Sequence, residues 1–384
     1  MFAFFLHKKF WLTIVILLFL TVVLEVALRL GVWNHWMHPR SFVKNAVNRV
    51  AAFESEGLEN FHWISVGSSS FDWALNHALV RQAMARHGLG YGRFGFESGA
   101  FMSIQTSSDW AMEHLPNLQG IILGMPVREF GNFNDPTKAF KVSWPFLDNM
   151  DAQRYHYFRD IHRPFVWPFR MAIGMYGADI LDFLHHPITR ISLKNSFSLW
   201  RPEPPLLYNR NMRRNLCSLD LQNLQACVAT AKRLKKQQKH RKLKGHERFV
   251  TRVCGTPQAQ RRAKNNRPIA KLNTEEQKQL ENNWITFFQS VLDRNKKLVL
   301  VLLPEHSLMN YAVKNPSADA IARVVIERFK DDPRFHLVDL RTLFTRQTRF
   351  QECQLYNDPL HFNNNGKAIL TQALISALDH FIDE

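Results

Sequence analysis

The chain has 384 residues, a formal net charge of +17 and a hydrophobic fraction of 46%. This length is too great for one minimal domain, and the apolar content allows a buried core and excludes global disorder. A charge of +17 at first suggests a nucleic-acid-binding protein. However, segment 232–271 contains fifteen Lys and Arg residues and a single acid, Glu247, so the rest of the chain carries only +3. The basicity is therefore local, and we expect no nucleic-acid partner.

The N-terminus has the pattern of a transmembrane helix. Residues 10–24 contain no charged residue, and the apolar pattern continues past Glu25 and Arg29, which can pair at i,i+4. Residues 10–33 are long enough to cross a bilayer of about 30 Å. A cleaved signal peptide is the alternative, but no small-residue cleavage site closes the apolar run. We therefore expect a single-pass anchor in the inner membrane. Residues 1–9 are expected in the cytoplasm and the chain after the anchor in the periplasm, although the charges that flank the span are nearly balanced.

Short apolar runs alternate with helical patterns along the chain. Continuous apolar runs of this length predict buried strands, and strand–helix–strand alternation implies parallel pairing with crossover helices. The predicted strands lie at 63–66, 91–96, 120–123, 298–303 and 335–338. The predicted helices lie at about 74–87, 103–115, 274–293 and 367–382, and a capping box from Thr274 to Gln277 opens the third of them. The expected fold is an α/β domain with a doubly wound, mostly parallel sheet.

The alternation stops in the middle of the chain, which predicts a large insertion. After a linker at 34–59, the sheet domain is expected to consist of two halves, 60–131 and 274–384, separated by an insertion at 132–273. The first part of the insertion is rich in aromatic residues, which could line a glycan or acyl groove, form a small core or rest on a membrane interface. The basic segment 232–271 is expected to be a solvated, partly disordered loop or a polycation that binds an anionic envelope polymer or lipid head groups.

The four cysteines do not form a recognisable metal site. Cys217, Cys227 and Cys254 lie in the middle third of the chain and Cys353 lies near the end, and this spacing fits no tetrahedral zinc pattern with the nearby histidines. The three central cysteines could form a disulfide outside the cytoplasm. We expect no metal and no cofactor.

Two groups of candidate catalytic residues follow predicted strands, where open α/β sheets bind ligands. Ser68, Ser69 and Ser70 come directly after the first strand, and a serine in a strand-to-helix turn has an exposed hydroxyl near a helix N-terminus. An ordinary serine-rich N-cap is the alternative interpretation. Asp358 and His361 lie three residues apart on a tight turn, where the carboxylate can orient the imidazole as a base, although such a pair also occurs by chance.

Together these blocks resemble the SGNH (GDSL-type) hydrolase superfamily over roughly 60–131 and 274–382. Ser69 occupies the nucleophile position of the first block, with Ser68 in place of the usual aspartate, and Asp358-x-x-His361 before a helix matches the last block. The resemblance implies an acyl-enzyme mechanism in which His361, oriented by Asp358, removes the proton from Ser69. Ser68 and Ser70 are the alternative nucleophiles if the turn is shifted by one residue.

The oxyanion hole is only partly matched. Gly99 falls on the glycine of the second block, so the resemblance assigns the N–H groups of Ser69 and Gly99 to the oxyanion. Pro126 stands where the third block has an asparagine, and proline offers neither an N–H nor a side-chain donor. Loss of one such donor typically lowers the rate by about 100- to 1000-fold.

The order of the blocks behind an N-terminal anchor is similar to that of DltD-type proteins, which act in D-alanylation of cell-envelope polymers beside a membrane-bound acyltransferase. The resemblance implies a serine acyltransferase or acylesterase acting on an envelope glycopolymer, with a lipid-linked acyl donor and a multispanning O-acyltransferase as possible partners. A catalytically weak scaffold subunit of a polysaccharide-modifying complex and a tethered small-ester carboxylesterase are the alternatives.

Overall fold

The computed structural model describes residues 2–38, 42–95, 101–131, 172–188, 191, 216–345 and 350–382. The chain divides into two compact units. The first comprises Met1–Ala52 and Phe140–Arg201, and the second comprises Phe53–Ala139 and Pro202–Glu384. The boundary between the units at Arg201 and Pro202 lies within the predicted insertion 132–273.

The second unit contains a five-stranded parallel sheet in the order β2-β1-β3-β4-β5 and a small antiparallel pair, β6-β7. The strands are β1 (Trp63–Gly67), β2 (Tyr91–Arg93), β3 (Gly120–Pro126), β4 (Lys297–Leu303), β5 (Phe335–Asp339), β6 (Tyr356–Asp358) and β7 (His361–Phe362). All five predicted sheet strands are present, and the predicted α/β class is confirmed. The chain places β2 on one side of β1 and then β3, β4 and β5 on the other side.

The helices alternate with these strands along the chain. They are α1 (Phe2–Arg29), α2 (Phe42–Glu56), α3 (Ser69–Asp72), α4 (His77–Arg86), α5 (Phe101–His114), α6 (Ala172–His185), α7 (Leu224–Gln237), α8 (Gly245–Cys254), α9 (Pro257–Asn265), α10 (Thr274–Asp293), α11 (Ser307–Ala312), α12 (Ser317–Phe329) and α13 (Asn364–Ile382). Short 3-10 turns lie at Val32–His35, Leu58–Asn60, Val127–Gly131, Leu216–Ser218 and Glu352–Gln354.

Helices cover both faces of the sheet, which explains why the strands are apolar throughout. In β4, Val299 and Val301 belong to a core cluster that includes Leu374 of α13. The alternate residues Leu298 and Leu300 are equally buried on the opposite face, where α10 packs against β4. A strand that is buried on both faces has no polar period, as the continuous run at 298–303 predicts.

The first unit contains the predicted anchor. Phe10–Arg29 of α1 is long and apolar enough to cross a membrane, and almost none of it is buried against the rest of the chain. This is the pattern of a single-pass anchor by length and composition. The predicted linker at 34–59 differs from expectation, because most of it is helix α2.

The basic segment is folded, so the prediction of a solvated, partly disordered loop is wrong. It forms the end of α7 and the whole of α8 and α9, and Leu234, Leu243 and Val250 are buried in the same core cluster as the sheet. Its charges lie on the outer faces of helices whose inner faces are apolar. Two disulfides, Cys227–Cys254 and Cys217–Cys353, hold this region together and tie it to the loop before β6.

Candidate active site

The serine turn directly follows β1. Ser68 is the N-cap of α3, and its hydroxyl oxygen accepts a hydrogen bond from the N–H of Ser70 at 3.2 Å. Ser68 and Ser70 are both only 5% exposed, whereas Ser69 is half-buried. Ser69 therefore presents the accessible hydroxyl of the three, at the carboxyl end of a central strand of a parallel sheet.

The close packing behind this turn requires glycine. Gly67 and Gly124 are paired residues on β1 and β3, and a Cβ atom on Gly124 would collide with the ring of Phe71 in α3. Without a side chain at either position, the ring lies directly on the sheet. The serine turn is thereby fixed against the strands.

Asp358 and His361 lie on the β6-β7 pair. Asp358 Oδ1 accepts hydrogen bonds from the backbone N–H groups of Leu360, at 2.8 Å, and of His361, at 3.1 Å, and these bonds shape the tight turn. The same carboxylate lies 3.0 Å (Oδ2) and 3.1 Å (Oδ1) from His361 Nδ1. This geometry favours a proton on Nδ1 and leaves Nε2 as the acceptor.

The fold brings the serine turn and the Asp–His turn together. His361 Nε2 lies 3.0 Å from Ser69 Oγ, which completes a hydrogen-bonded chain from Ser69 through His361 to Asp358. This is the arrangement in which an imidazole removes a proton from a serine hydroxyl while a carboxylate holds the imidazole in place. The structure thus joins the three residues that the sequence singled out, while their catalytic role stays a prediction.

The environment keeps Asp358 ionised. Burial by itself would raise the pKa of the Asp358 carboxyl, but hydrogen bonds and charge from His361, together with backbone N–H groups, outweigh burial and hold that pKa below its usual value. The indole of Trp73 lies beside the imidazole, with ring centroids 4.8 Å apart. Trp73 is 43% exposed, and the side chains of His361 and Asp358 beside it are 17% and 26% exposed.

The oxyanion side of the site is less completely defined. Ser69 is the first residue of α3. Because the first N–H groups of a helix have no carbonyl acceptor within that helix, the N–H of Ser69 can donate to a ligand. Gly99, the second predicted donor, lies outside the described residues. Pro126, the residue predicted to stand in place of an oxyanion asparagine, is the buried last residue of β3 and offers no N–H or side-chain donor.

A buried charged cluster behind the serines was not predicted. The Ser68 hydroxyl donates to Glu129 Oε1 at 2.7 Å, and Arg128 donates to the Ser70 hydroxyl at 2.8 Å and to Glu305 Oε1 at 2.7 Å. Both serines that flank Ser69 are therefore tied to the 3-10 turn that follows β3. The only sequence signal was an Arg-Glu pair directly after a buried strand.

Glu129 is the least satisfied member of this cluster. Burial raises the pKa of Glu129 to about 7, against the opposing effects of the Arg128 charge and the Ser68 hydrogen bond. Its Oε2 atom is buried and has no hydrogen-bond partner among the described residues. Glu129 is therefore a titratable group near neutral pH, one hydrogen bond away from the serine turn.

A second network holds α3 against β2. Asp72, the last residue of α3, accepts hydrogen bonds from Arg93 Nε at 2.6 Å and from a terminal guanidinium nitrogen at 2.5 Å. His77 lies 2.7 Å from the Tyr91 hydroxyl and 2.8 Å from the Asp72 carbonyl oxygen. A two-pronged Arg–carboxylate pair with little exposure is a strong restraint on geometry, so both ends of α3 are fixed.

Elsewhere in the described part of the chain there is a cleft but no cluster of metal ligands. Within the described residues, no cluster of three or more His, Cys, Asp or Glu side chains could hold a metal ion. A cleft of about 620 Å³ is lined by residues of α7, α9 and the α11–α12 region and contains none of Ser69, Asp358 and His361. Arg262, in its wall, donates to the carbonyl oxygen of Tyr311 at 2.7 Å, which is a structural contact between helices.

In comparisons with known proteins, no protein-family model matches this chain and no curated protein is significantly similar to it.

Proposed function

We propose that this chain is a membrane-anchored SGNH-type serine acyltransferase or acylesterase that acts on a cell-envelope glycopolymer. The observation that carries the proposal is the hydrogen-bonded chain of Ser69, His361 and Asp358 at the carboxyl edge of the parallel sheet. Ser69 is the accessible serine of its turn, and the base that contacts it is held by a carboxylate whose pKa is lowered. A serine activated in this way forms covalent acyl intermediates.

In the proposed mechanism, His361 Nε2 takes the proton of the Ser69 hydroxyl as Oγ attacks the carbonyl carbon of an acyl donor. The tetrahedral intermediate collapses to an acyl ester on Ser69, and the imidazolium passes its proton to the departing oxygen. A sugar hydroxyl or a water molecule, deprotonated by His361, then attacks the ester carbonyl. As the bond to Ser69 Oγ breaks, the imidazolium returns the proton to Oγ, which regenerates the serine and releases the acylated sugar or the free acid. The N–H groups of Ser69 and Gly99 are the proposed oxyanion donors.

The positions of the blocks in the fold support the SGNH assignment and the DltD-like interpretation. The serine turn follows the first strand of the parallel sheet, and the Asp–His turn directly precedes the last helix, α13. This is the order of blocks on which the resemblance rests. An acceptor polymer, a lipid-linked acyl donor and a multispanning O-acyltransferase are the partners that this assignment proposes.

Two features support a location outside the cytoplasm. All four cysteines of the chain are paired in disulfides, which persist in oxidising compartments. The apolar part of α1 precedes every cysteine and is long enough to span a bilayer. We therefore propose a single-pass protein of the inner membrane with the sheet domain in the periplasm.

Pro126 favours one alternative function. Without a donor at this position, we expect the site to stabilise the transition state less than SGNH hydrolases that have asparagine there. A catalytically weak subunit that binds or scaffolds a polysaccharide-modifying complex would tolerate this loss. A tethered carboxylesterase of small esters is the remaining enzymatic alternative.

The proposal is tested with the full-length chain purified in detergent and a p-nitrophenyl acetate assay. We expect release of p-nitrophenol by the wild type and its loss in Ser69→Ala. Ser290→Ala, which removes a half-buried hydroxyl bonded to the Phe287 carbonyl, is the matched control and should retain the wild-type rate. Equal rates in the wild type and Ser69→Ala would contradict the proposed nucleophile. No turnover by a folded wild type would favour the scaffold alternative.

A further inference from the structure

Helix α6 is held against the end of the anchor helix by a carboxylate from within the apolar span. Glu25 Oε2 accepts a hydrogen bond from the backbone N–H of Ile173, in the first turn of α6, at 3.0 Å. Glu25 Oε1 accepts a second bond from Arg29 Nε at 2.7 Å. Glu25 thus supplies an acceptor to the N-terminal end of α6, where free N–H groups favour negative charge. This accounts for an acidic residue that follows fifteen uncharged residues of the anchor, 10–24.

A second carboxylate fixes the middle of α6. Asp179 Oδ2 accepts a hydrogen bond from the indole N–H of Trp33 at 2.8 Å, and Oδ1 accepts one from the backbone N–H of His38 at 2.9 Å. The ring of Phe183 packs edge-on against Trp33 and Trp36, at centroid distances of 5.4 and 5.6 Å. The first turn of α6 contacts Glu25, whereas its last turn contacts Trp33 and Trp36. Helix α6 therefore runs in the same direction as the chain at the end of the anchor.

The other face of α6 is apolar and exposed. Leu181 and Leu184 lie one turn apart on α6, and Ile188 follows just beyond the last residue of α6; these three residues, which form an apolar stripe, are 57%, 66% and 83% exposed. Tyr176 on the opposite side is only 5% exposed. Contact of three large aliphatic side chains with water would be unfavourable, at roughly 25 cal/mol per Å² of apolar surface. A stripe of this kind usually marks a surface that another apolar phase covers.

We propose that α6 is a second membrane-binding element, with the chains of lipids at the bilayer interface covering Leu181, Leu184 and Ile188. The inference rests on the proposed membrane anchoring of α1. Lipid is the occupant because α6 is hydrogen-bonded to the end of the apolar span, so the stripe continues the lipid-facing surface of α1. Trp33 and Trp36 lie just beyond the last residue of α1, at the level where tryptophans favour the interface.

This arrangement also explains the polar contacts between the two helices. An unpaired carboxylate near the hydrocarbon region would be energetically costly. Glu25 and Asp179 avoid this cost because each carboxylate accepts two hydrogen bonds. The result is an anchor of one spanning helix and one interfacial helix that is oriented by fixed bonds. Such a pair restricts the rotation of the chain about the anchor axis more than a single helix does.

Site-directed fluorescence tests the proposal with the full-length chain in phosphatidylcholine vesicles. Because all four native cysteines are in disulfides, one introduced cysteine can be labelled selectively. A polarity-sensitive bimane label is placed at Leu184→Cys, at Asp182→Cys as the polar control on the same helix and at Leu18→Cys in the anchor. Quenching is measured with nitroxide-labelled lipid and, separately, with aqueous iodide.

We expect the labels at positions 18 and 184 to lose most of their fluorescence to nitroxide lipid, and the label at 182 to be quenched more by iodide. If the label at 18 is quenched by lipid and that at 184 is quenched by iodide or by neither reagent, the interfacial role of α6 is wrong and the anchor stands. Quenching by neither reagent would mean that protein, such as a second copy of the chain, covers the stripe. If the label at 18 is not quenched by lipid, the anchor itself is wrong.

Discussion

Ser69 Oγ and His361 Nε2 lie 3.0 Å apart although 292 residues separate them in the chain. The parallel sheet creates this proximity. Ser69 follows β1, and α3 contacts the β6-β7 pair that carries His361. The contact links the two predicted halves of the sheet domain, 60–131 and 274–384.

The carboxylate of the site should be needed for its charge and orientation. Asp358→Asn keeps the shape of the side chain but offers an amide to His361 Nδ1, which favours the wrong tautomer. We expect kcat for p-nitrophenyl acetate to fall by about 10⁴-fold, as in serine hydrolases with an equivalent triad. Asp332→Asn, which removes a surface carboxylate paired with Arg334, should leave kcat near the wild-type value. Comparable rates for the wild type and Asp358→Asn would show that Asp358 does not orient the base.

Glu129 should make the stability of the domain depend on pH near neutrality. Its pKa is about 7 in the folded chain against an ordinary value of 4.5, so between these values the folded chain keeps a proton that the unfolded chain has lost. The free energy of unfolding therefore decreases as the pH rises through this window. Glu129→Gln removes the titrating group and retains an oxygen that accepts from Ser68. The free energy of unfolding, measured with urea between pH 5 and 7, should therefore depend less on pH in this variant than in the wild type.

Glu247→Gln is the matched control for this measurement. A hydrogen bond from Arg241 lowers the pKa of Glu247 to about 2, so its contribution to stability is lost only as the pH falls below the ordinary value for glutamate. The slope between pH 5 and 7 should stay as in the wild type. The same slope in Glu129→Gln as in the wild type would show that Glu129 is ionised throughout this range.

How well each segment could be predicted from the sequence depended on how it is buried. The strands of the sheet were predictable because burial on both faces leaves only apolar residues, as in 298–303. Helix α10 begins and ends where its apolar period predicts, but Asn273, rather than Thr274, is its cap, with Glu276 as the reciprocal partner. Adjacent Asn and Thr are both good caps, so the sequence alone does not choose between them.

The basic segment was misread because its charges obscured a helical pattern. Cys227, Ala231 and Leu234 recur at intervals of four and three residues on one face of α7, and a disulfide to α8 adds a restraint that charge counting ignores. The buried cluster around Glu129 was not predicted from the sequence, for a different reason. A charged pair after a strand is usually solvated, and its burial depends on Glu305 and on the serines, which are distant in sequence.

The two disulfides should stabilise the domain by different amounts. The Cys217–Cys353 bond closes a segment with a sequence separation of 136, and the Cys227–Cys254 bond one with a separation of 27. Loop-closure entropy predicts a loss of about 5 kcal/mol for the first and about 3.5 kcal/mol for the second when each pair is replaced by alanine. Urea unfolding of the two double variants measures the difference. A larger loss for the shorter loop, or no loss for either, would contradict this account.

The exposed lysines of the basic segment should bind anionic surfaces without taking part in the chemistry. Lys236, Lys239 and Lys242 are exposed, whereas Lys235 bonds the carbonyl oxygen of Gly255 and Arg241 pairs with Glu247. Replacing the first three with glutamine should weaken binding to phosphatidylglycerol vesicles or to the soluble polyanion heparin by about 1 kcal/mol per charge and leave p-nitrophenyl acetate turnover unchanged. Co-sedimentation with vesicles and heparin-affinity elution separate the two kinds of surface. A parallel fall in turnover would mean that these residues support the fold.

Covalent labelling by a fluorophosphonate, mapped by mass spectrometry, tests the central claim most directly. The reagent traps a serine whose hydroxyl an adjacent base activates. We predict a single adduct on Ser69 in the wild type, no adduct in Ser69→Ala and strongly reduced labelling in His361→Ala. An adduct on Ser68, Ser70 or any other serine of the wild type, or labelling that persists in Ser69→Ala, would contradict the account.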